Sequence, residues 1–209
     1  TSEVLTIKEE KFQPQYKYTI KTAQKAKPKN VEELRIVNFK QVDWKEDKEV
    51  IMDIERRSFP EEMQEDEEEL AATFAQQRHV GFILYENNKP VGYTVGVPLE
   101  HYDGKSDYMD LEEIYGVKDD DFGKGNTIYR ESTAILPEFR GRGYAHKMLT
   151  EFATQAKDKG YTKIKAHVRR QGGYSDFLQR NGAKLLVVED GWLGGETFDY
   201  LEMDVNKVL

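Results

Sequence analysis

The segment Pro137-Glu138-Phe139-Arg140-Gly141-Arg142-Gly143-Tyr144-Ala145 constrains the fold more than any other, because it joins a strand pattern to a helix pattern through two glycines and two arginines. Before it, Asn126 to Leu136 reads as a strand that Pro137 closes. After it, Ala145, Met148, Leu149, Phe152, Ala153 and Ala156 follow the i, i+3, i+4, i+7 spacing of an amphipathic helix over Gly143 to Lys159, and Gly160 suits its C-terminal end. A helix N-terminus leaves N–H groups without intrahelical partners and carries partial positive charge. Gly141 and Gly143 let a diphosphate approach that backbone, and Arg140 and Arg142 can add charge-assisted contacts. The same spacing suits a plain tight turn bearing surface arginines, and it is neither the Rossmann fingerprint nor the Walker A loop. Glycine spacing alone leaves both readings open.

The rest of the chain supplies alternating strands and helices. Leu34, Ile36 and Phe39 suggest a first strand, and Val50, Ile51 and Ile54 a helix that ends at Phe59-Pro60, since proline disfavours helix at the residue before it. Glu67 to Arg78 reads as a second helix with Leu70, Ala71 and Phe74 on one side. Val80 to Tyr85 and Pro90 to Val97 flank Asn87-Asn88-Lys89 as a hairpin. Ile164, Ala166 and Val168 alternate through another strand, and Tyr174 to Asn181 is a short helix with Gly182 at its end. Lys184 to Glu189 and Thr197 to Val205 are two last strands joined by Asp190-Gly191-Trp192-Leu193-Gly194-Gly195. The order predicts an α/β (α+β) layer with a mixed sheet. Residues 1–33 read as an N-terminal extension or arm, with Tyr16 to Ile20 able to form an edge strand, and residues 34–209 as the folded domain. Residues 98–126 form a long, polar, acidic loop of the kind that serves as a lid or binding loop.

Composition excludes several classes. The hydrophobic fraction of 38% suffices for a core, and no stretch approaches the ~18 apolar residues of a membrane span. A net charge of −8 argues against nucleic acid as a partner, because phosphate backbones reward basic surfaces. The absence of cysteine removes disulfides, thiolate metal sites and cysteine nucleophiles, and fits a reducing compartment. Thr1 to Glu10 has no apolar signal-peptide region, so the expected setting is cytoplasmic, with no membrane partner and no metal.

The element order, together with Arg140-x-x-Gly143-x-Ala145, resembles the GNAT (GCN5-related N-acetyltransferase) superfamily. The lead-in Ile135-Leu136-Pro137-Glu138-Phe139-Arg140-Gly141, the Glu55 to Pro60 connection ending Ser58-Phe59-Pro60 and Gly92 in the third strand resemble it too, and the likeness extends over residues 34–205. It implies a mixed, mostly antiparallel twisted sheet flanked by helices, with the fourth and fifth strands splayed. It also implies acetyl-CoA as co-substrate, with the pantetheine arm along Thr133, Ala134 and Ile135 and the pyrophosphate on Gly141, Arg142, Gly143, Tyr144, Ala145 and His146. Gln171 stands where the family often has a CoA-contacting Asn. A homodimer is an assembly the family allows, but the sequence specifies no interface.

For the chemistry, the resemblance points to Glu131 as the base that takes the proton from the amine, with Ser132 or Thr133 as alternative water-orienting groups. His167 on the fifth strand is another candidate for the acid–base role, the alternative being an exposed residue on the face it shares with Lys163 and Lys165; His146 is expected on a helix surface or against CoA. The family's usual acid, a tyrosine four residues before the glycine of the last short helix, is replaced by Leu178; Tyr174, one turn earlier, is the candidate in its place. Acid-rich stretches at Glu61 to Glu69 and Glu100 to Asp121 favour a cationic small-molecule or peptide amine as acceptor. Two other readings stay open: a degenerate GNAT that binds CoA or a partner without turnover, and an ordinary nucleotide-binding α/β domain.

Overall fold

A computed structural model describes residues 35–102, 121, 123–191 and 193–209. The expected N-terminal arm, its Tyr16 to Ile20 strand, Leu34, most of the long acidic loop and Trp192 lie outside the described residues. Seven strands form one sheet: β1 (Val37–Gln41), β2 (Val80–Glu86), β3 (Lys89–Pro98), β4 (Thr127–Ile135), β5 (Lys163–Arg169), β6 (Lys184–Glu189) and β7 (Phe198–Asp204). Their spatial order is β1-β2-β3-β4-β5-β7-β6, antiparallel throughout except for the parallel β4–β5 pair. The helices are α1 (Trp44–Ser58), α2 (Glu67–Phe74), α3 (Tyr144–Asp158), α4 (Tyr174–Arg180) and α5 (Val205–Val208).

The helical periodicities become two apolar layers on opposite faces of the sheet. Ile51, Ile54, Leu70 and Phe74 of α1 and α2 pack on Ile83, Tyr93, Val95 and Ala134. Met148, Leu149, Phe152 and Ala153 of α3 pack on Phe82, Leu84, Val91, Ile128 and Ile164. Each buried Leu, Ile, Val, Phe or Met among them contributes about 1.5–3 kcal/mol relative to exposure. The capping chemistry agrees with the pattern. Asp43 accepts from the Lys45 N–H at the start of α1, and Asp66 with Glu69 forms a reciprocal capping box at the start of α2.

The hairpin forms where expected. Asn87 and Asn88 hold φ of 50° and 64°, the left-handed pair that a two-residue turn between twisted strands requires. The second helix is shorter than its periodicity suggests. It ends at Phe74 because the chain reverses at Arg78, whose φ is 63° and whose guanidinium donates to the Gly125 and Lys159 carbonyls while lying 4.5 Å over the Tyr161 ring. The last strand is followed by the short helix α5, which no periodicity announced; Asp204 caps it through the Asn206 N–H.

Two irregularities of β4 shape the molecule. Its pairing with β5 runs only from Thr127↔Lys163 to Tyr129↔Lys165, after which the strands part. Its pairing with β3 shifts register between Val95↔Ser132 and Gly96↔Arg130, which makes Glu131 the bulge residue. On the other side of the same ladder, a Cβ on Gly92 would lie 2.6 Å from the Ala134 carbonyl, so only glycine permits this approach of β3 to β4. Among the described residues no helix is long and apolar enough to cross a membrane.

Candidate functional site

The parted strands open next to the start of α3. Gly143 occupies the N-cap position at φ 81°, Gly141 has φ 74°, and no side chain caps the helix. The first-turn N–H groups therefore face outward from a glycine loop with no heavy atom within 4 Å of where either Cβ would stand. A diphosphate fits such a cradle. The two arginines of the loop are engaged within the protein instead. Arg140 donates to the Ile135 carbonyl at 2.9 Å and the Ser58 carbonyl at 3.0 Å, tying the end of β4 to the end of α1. Arg142 donates to Glu86 at 3.2 Å and to the Glu138 carbonyl at 2.9 Å, above the Phe139 ring. Tyr144 is buried, its hydroxyl bonded to Glu86 and its pKa pushed up to about 12 by burial and that carboxylate. Ala145 is half-buried, and His146 is exposed with its ring 6.4 Å from Phe177. The backbone, rather than the guanidiniums, is what the loop presents.

Beyond Tyr129 the β5-facing edge of β4 has no strand beside it among the described residues, which leaves the backbone of Thr133, Ala134 and Ile135 available to an extended ligand. The bulge divides the side chains between the two faces. Ile128 and Ile135 belong to the α3 face, and there Thr133 shares a 2.7 Å hydrogen bond with Thr94, which in turn accepts from Arg130. Ala134 and Ser132 belong to the α1 face, where Ser132 meets the Tyr93 hydroxyl at 3.0 Å.

Around Glu131 the structure gathers carboxylates and tyrosines. The Tyr102 hydroxyl donates to Glu131 at 2.5 Å, and burial together with the Glu131 charge raises the Tyr102 pKa, so it stays a donor. Tyr129 is likewise raised by burial and then by Glu131. Glu55, 1% exposed, accepts from the Tyr93 hydroxyl at 2.5 Å and from the Glu65 N–H at 2.9 Å; burial raises it against the pull of both bonds. Glu65, between Met63 and α2, is raised to about 8 by burial, then by the charge of Glu131. The sequence marked this stretch only as acid-rich. Neither Glu55 nor Glu65 stands out in the sequence as a site residue, because the turn that brings them beside β4 follows from the packing of α1 and α2.

On the α4 side, Tyr174 stacks on Phe177 with ring centroids 5.7 Å apart, and its hydroxyl is buried with no hydrogen-bond partner among the described residues. Ser175 and Arg170 both bond Asp199, at 2.5 Å in each case, which fixes the turn carrying Tyr174 onto β7. Leu178, where the family's tyrosine would stand, is 2% exposed within the core. Gln171 is exposed in the turn before α4.

One expectation is corrected. His167 is not on an exposed face: its side chain is 3% exposed. Tyr200 stacks on the imidazole at 4.4 Å, the Tyr129 hydroxyl lies 2.8 Å from Nδ1, and Glu189 lies 3.1 Å from Nε2. Lys165 is equally covered, paired with Asp121 at 2.9 Å. Burial pulls Asp121 up, but the bonds from Lys163 and Lys165 outweigh it and hold the carboxyl at about 2. Alternation along β5 identified the shared face correctly; the β6–β7 hairpin and β4 are what bury it.

Comparison with known proteins adds the following. A family model described as the Acetyltransferase (GNAT) family matches residues 48–176, more than half of the chain. Over 70 residues the chain is 33% identical to a thialysine N-epsilon-acetyltransferase of Bos taurus; the match spans 33% of this chain and 41% of that relative. The fold is similar to that of the ribosomal-protein-S18-alanine N-acetyltransferase of Escherichia coli, with a TM-score of 0.61 at 14% identity over 81% of this chain and 94% of that one. It is also similar to yncA of Salmonella typhimurium, solved with its cofactor acetyl-CoA, with a TM-score of 0.58 at 16% identity over 81% and 94%. At these identities the structural likeness shows the fold.

Proposed function

This chain belongs to the GNAT acetyltransferase family, and from that premise we propose that it transfers an acyl group from an acyl-CoA, acetyl-CoA in the simplest case, to the nitrogen of a primary amine. The observation that carries this reading is the parting of β4 from β5 beside the uncapped start of α3. One opening offers an unpaired strand edge for an amide-bearing arm and free N–H groups for a diphosphate. Thr133, Ala134 and Ile135 hold the arm; the N–H groups of Gly141 to His146 hold the diphosphate, with Gln171 at the rim.

The reaction is direct attack in a ternary complex. The amine lone pair adds to the thioester carbonyl carbon, the C–N bond forms and the C–S bond breaks. Glu131 takes the proton that the nitrogen loses, and the leaving thiolate takes one from Tyr174; both groups re-equilibrate through solvent. The Tyr174 hydroxyl, buried without a partner among the described residues, suits that donor role. Holding both reactants against β4 supplies much of the rate by proximity.

The acceptor is a cationic amine. Burial, and after it the charges of Glu131, Glu69 and Glu55, push Glu65 up to about 8, and an ammonium group would relieve the carboxylate part of that field. The bovine relative is named for an amine substrate, which supports the same class. The burial of Leu178 in place of an acidic tyrosine favours a second reading, a CoA-binding module without turnover. Free-thiol release from acetyl-CoA, measured with a diamine, a lysine side-chain analogue, a neutral amine and no amine, separates the two. Release that requires a cationic amine supports transfer; CoA binding with no release for any amine supports the module.

A further inference from the structure

Arg130 is the buried charge that the reaction above does not use. It is 4% exposed, yet no carboxylate pairs with it among the described residues. Its Nε donates to Thr94 at 3.2 Å, and its guanidinium lies 5.2 Å over the Phe152 ring and 5.7 Å over the Tyr174 ring. Its Nη2 is buried and has no hydrogen-bond partner among the described residues. The two aromatic rings offset part of the desolvation, but a buried guanidinium with no carboxylate beside it among the described residues keeps an uncompensated desolvation cost. A buried polar group left unsatisfied in this way is characteristic of a site that a ligand completes.

Its position says what that ligand is. Arg130 is the first residue of β4 beyond the last one paired with β5, so it sits at the vertex of the opening. The diphosphate cradle follows the other end of β4, after Ile135. A donor anchored there and extended along β4 brings its far end, the acyl group, to the vertex. Arg130 and Glu131 then stand on opposite sides of it: Arg130 meets Phe152 of α3, and Glu131 meets Tyr102. The acyl tail and the attacking amine thus approach from different faces.

We propose that the preferred donor is an acyl-CoA whose acyl group ends in a carboxylate, and that Arg130 is the residue that selects it. The planar guanidinium suits a carboxylate better than any other donor group, and an acetyl group would leave Nη2 unpaired. Bond making and breaking are unchanged: the amine nitrogen joins the carbonyl carbon, the thiolate leaves and is protonated, and the distal carboxylate stays intact in the amide product. This inference rests on the donor site proposed above.

Calorimetric titration of the intact protein with acetyl-CoA, succinyl-CoA, malonyl-CoA and free CoA tests it without any acceptor. The expected result is at least ~10-fold tighter binding of succinyl-CoA or malonyl-CoA than of acetyl-CoA, since a site built for a polar group discriminates strongly against its absence. Arg130→Met should remove that difference while acetyl-CoA still binds. Because the native protein alone gives the comparison, a variant that fails to fold does not weaken the test. Equal binding of all three esters, or tighter binding of acetyl-CoA, overturns the inference and leaves the donor site standing. Failure of every ester and of free CoA to bind overturns both.

Discussion

Glu131 takes its place in the proposed chemistry from a backbone irregularity: as the bulge residue between Val95↔Ser132 and Gly96↔Arg130, it turns toward Tyr102 and the carboxyl cluster. If it removes the amine proton, Glu131→Gln should lower kcat by about 10²- to 10⁴-fold with little change in KM for acetyl-CoA. An equal loss in kcat and in acetyl-CoA affinity, read from steady-state kinetics, would mean a structural role. Glu65 makes a separate, pH-dependent prediction. Its pKa rises from 4.5 to about 8, chiefly through burial, so the folded state holds the proton more tightly than the unfolded chain. The stability this contributes is complete below the unfolded value and is lost as pH rises through the folded one. Glu65→Gln has no proton to lose, so its Tm relative to the parent should climb between pH 5 and pH 9, by about 3 °C or more at the alkaline end. A Tm difference that does not vary with pH, measured by calorimetry, would contradict the assignment.

At the scale of elements, the glycine turn into α3 and the β3–β4 ladder do the positioning. Gly143 holds φ 81°, where a side chain costs on the order of 1 kcal/mol or more. Gly143→Val should therefore weaken acetyl-CoA binding by about 10-fold or more, through reoriented N–H groups and a blocked approach; unchanged affinity by titration would remove the loop from the donor site. Gly92→Ala sets a new Cβ against the Ala134 carbonyl at 2.6 Å and should cost about 1–3 kcal/mol in urea unfolding. Much of this level was legible in the sequence. Hairpin turn, strand alternation and the α3 stripe are local patterns, and the structure follows them from β1 to β7. What was not legible depends on contacts distant in sequence. The early end of α2 reflects Arg78 reaching Gly125 and Lys159. The burial of His167 needs Tyr129 and Tyr200, from two other strands. Glu65 joins Glu131 only because α1 and α2 pack across β3 and β4, and the orphaned Nη2 of Arg130 cannot be seen until Phe152 and Tyr174 close over it.

The whole chain carries a net charge of −8, and Glu55 and Glu65 stand with Glu131 beside the sheet near where β4 parts from β5. That field should draw a cationic acceptor and weaken with salt. The KM for a diamine should rise severalfold between about 0.01 M and 0.15 M ionic strength, whereas the KM for a neutral amine should stay nearly constant. Parallel responses of the two amines would remove the electrostatic argument for the acceptor. The most direct test of the molecule as an N-acyltransferase is the initial rate of free-thiol release with acetyl-CoA and a cationic amine varied together. The expected result is no release without amine and intersecting double-reciprocal lines, the pattern of a ternary complex. Parallel lines would contradict direct attack, and absence of release with every amine, despite measurable CoA binding, would contradict catalysis itself.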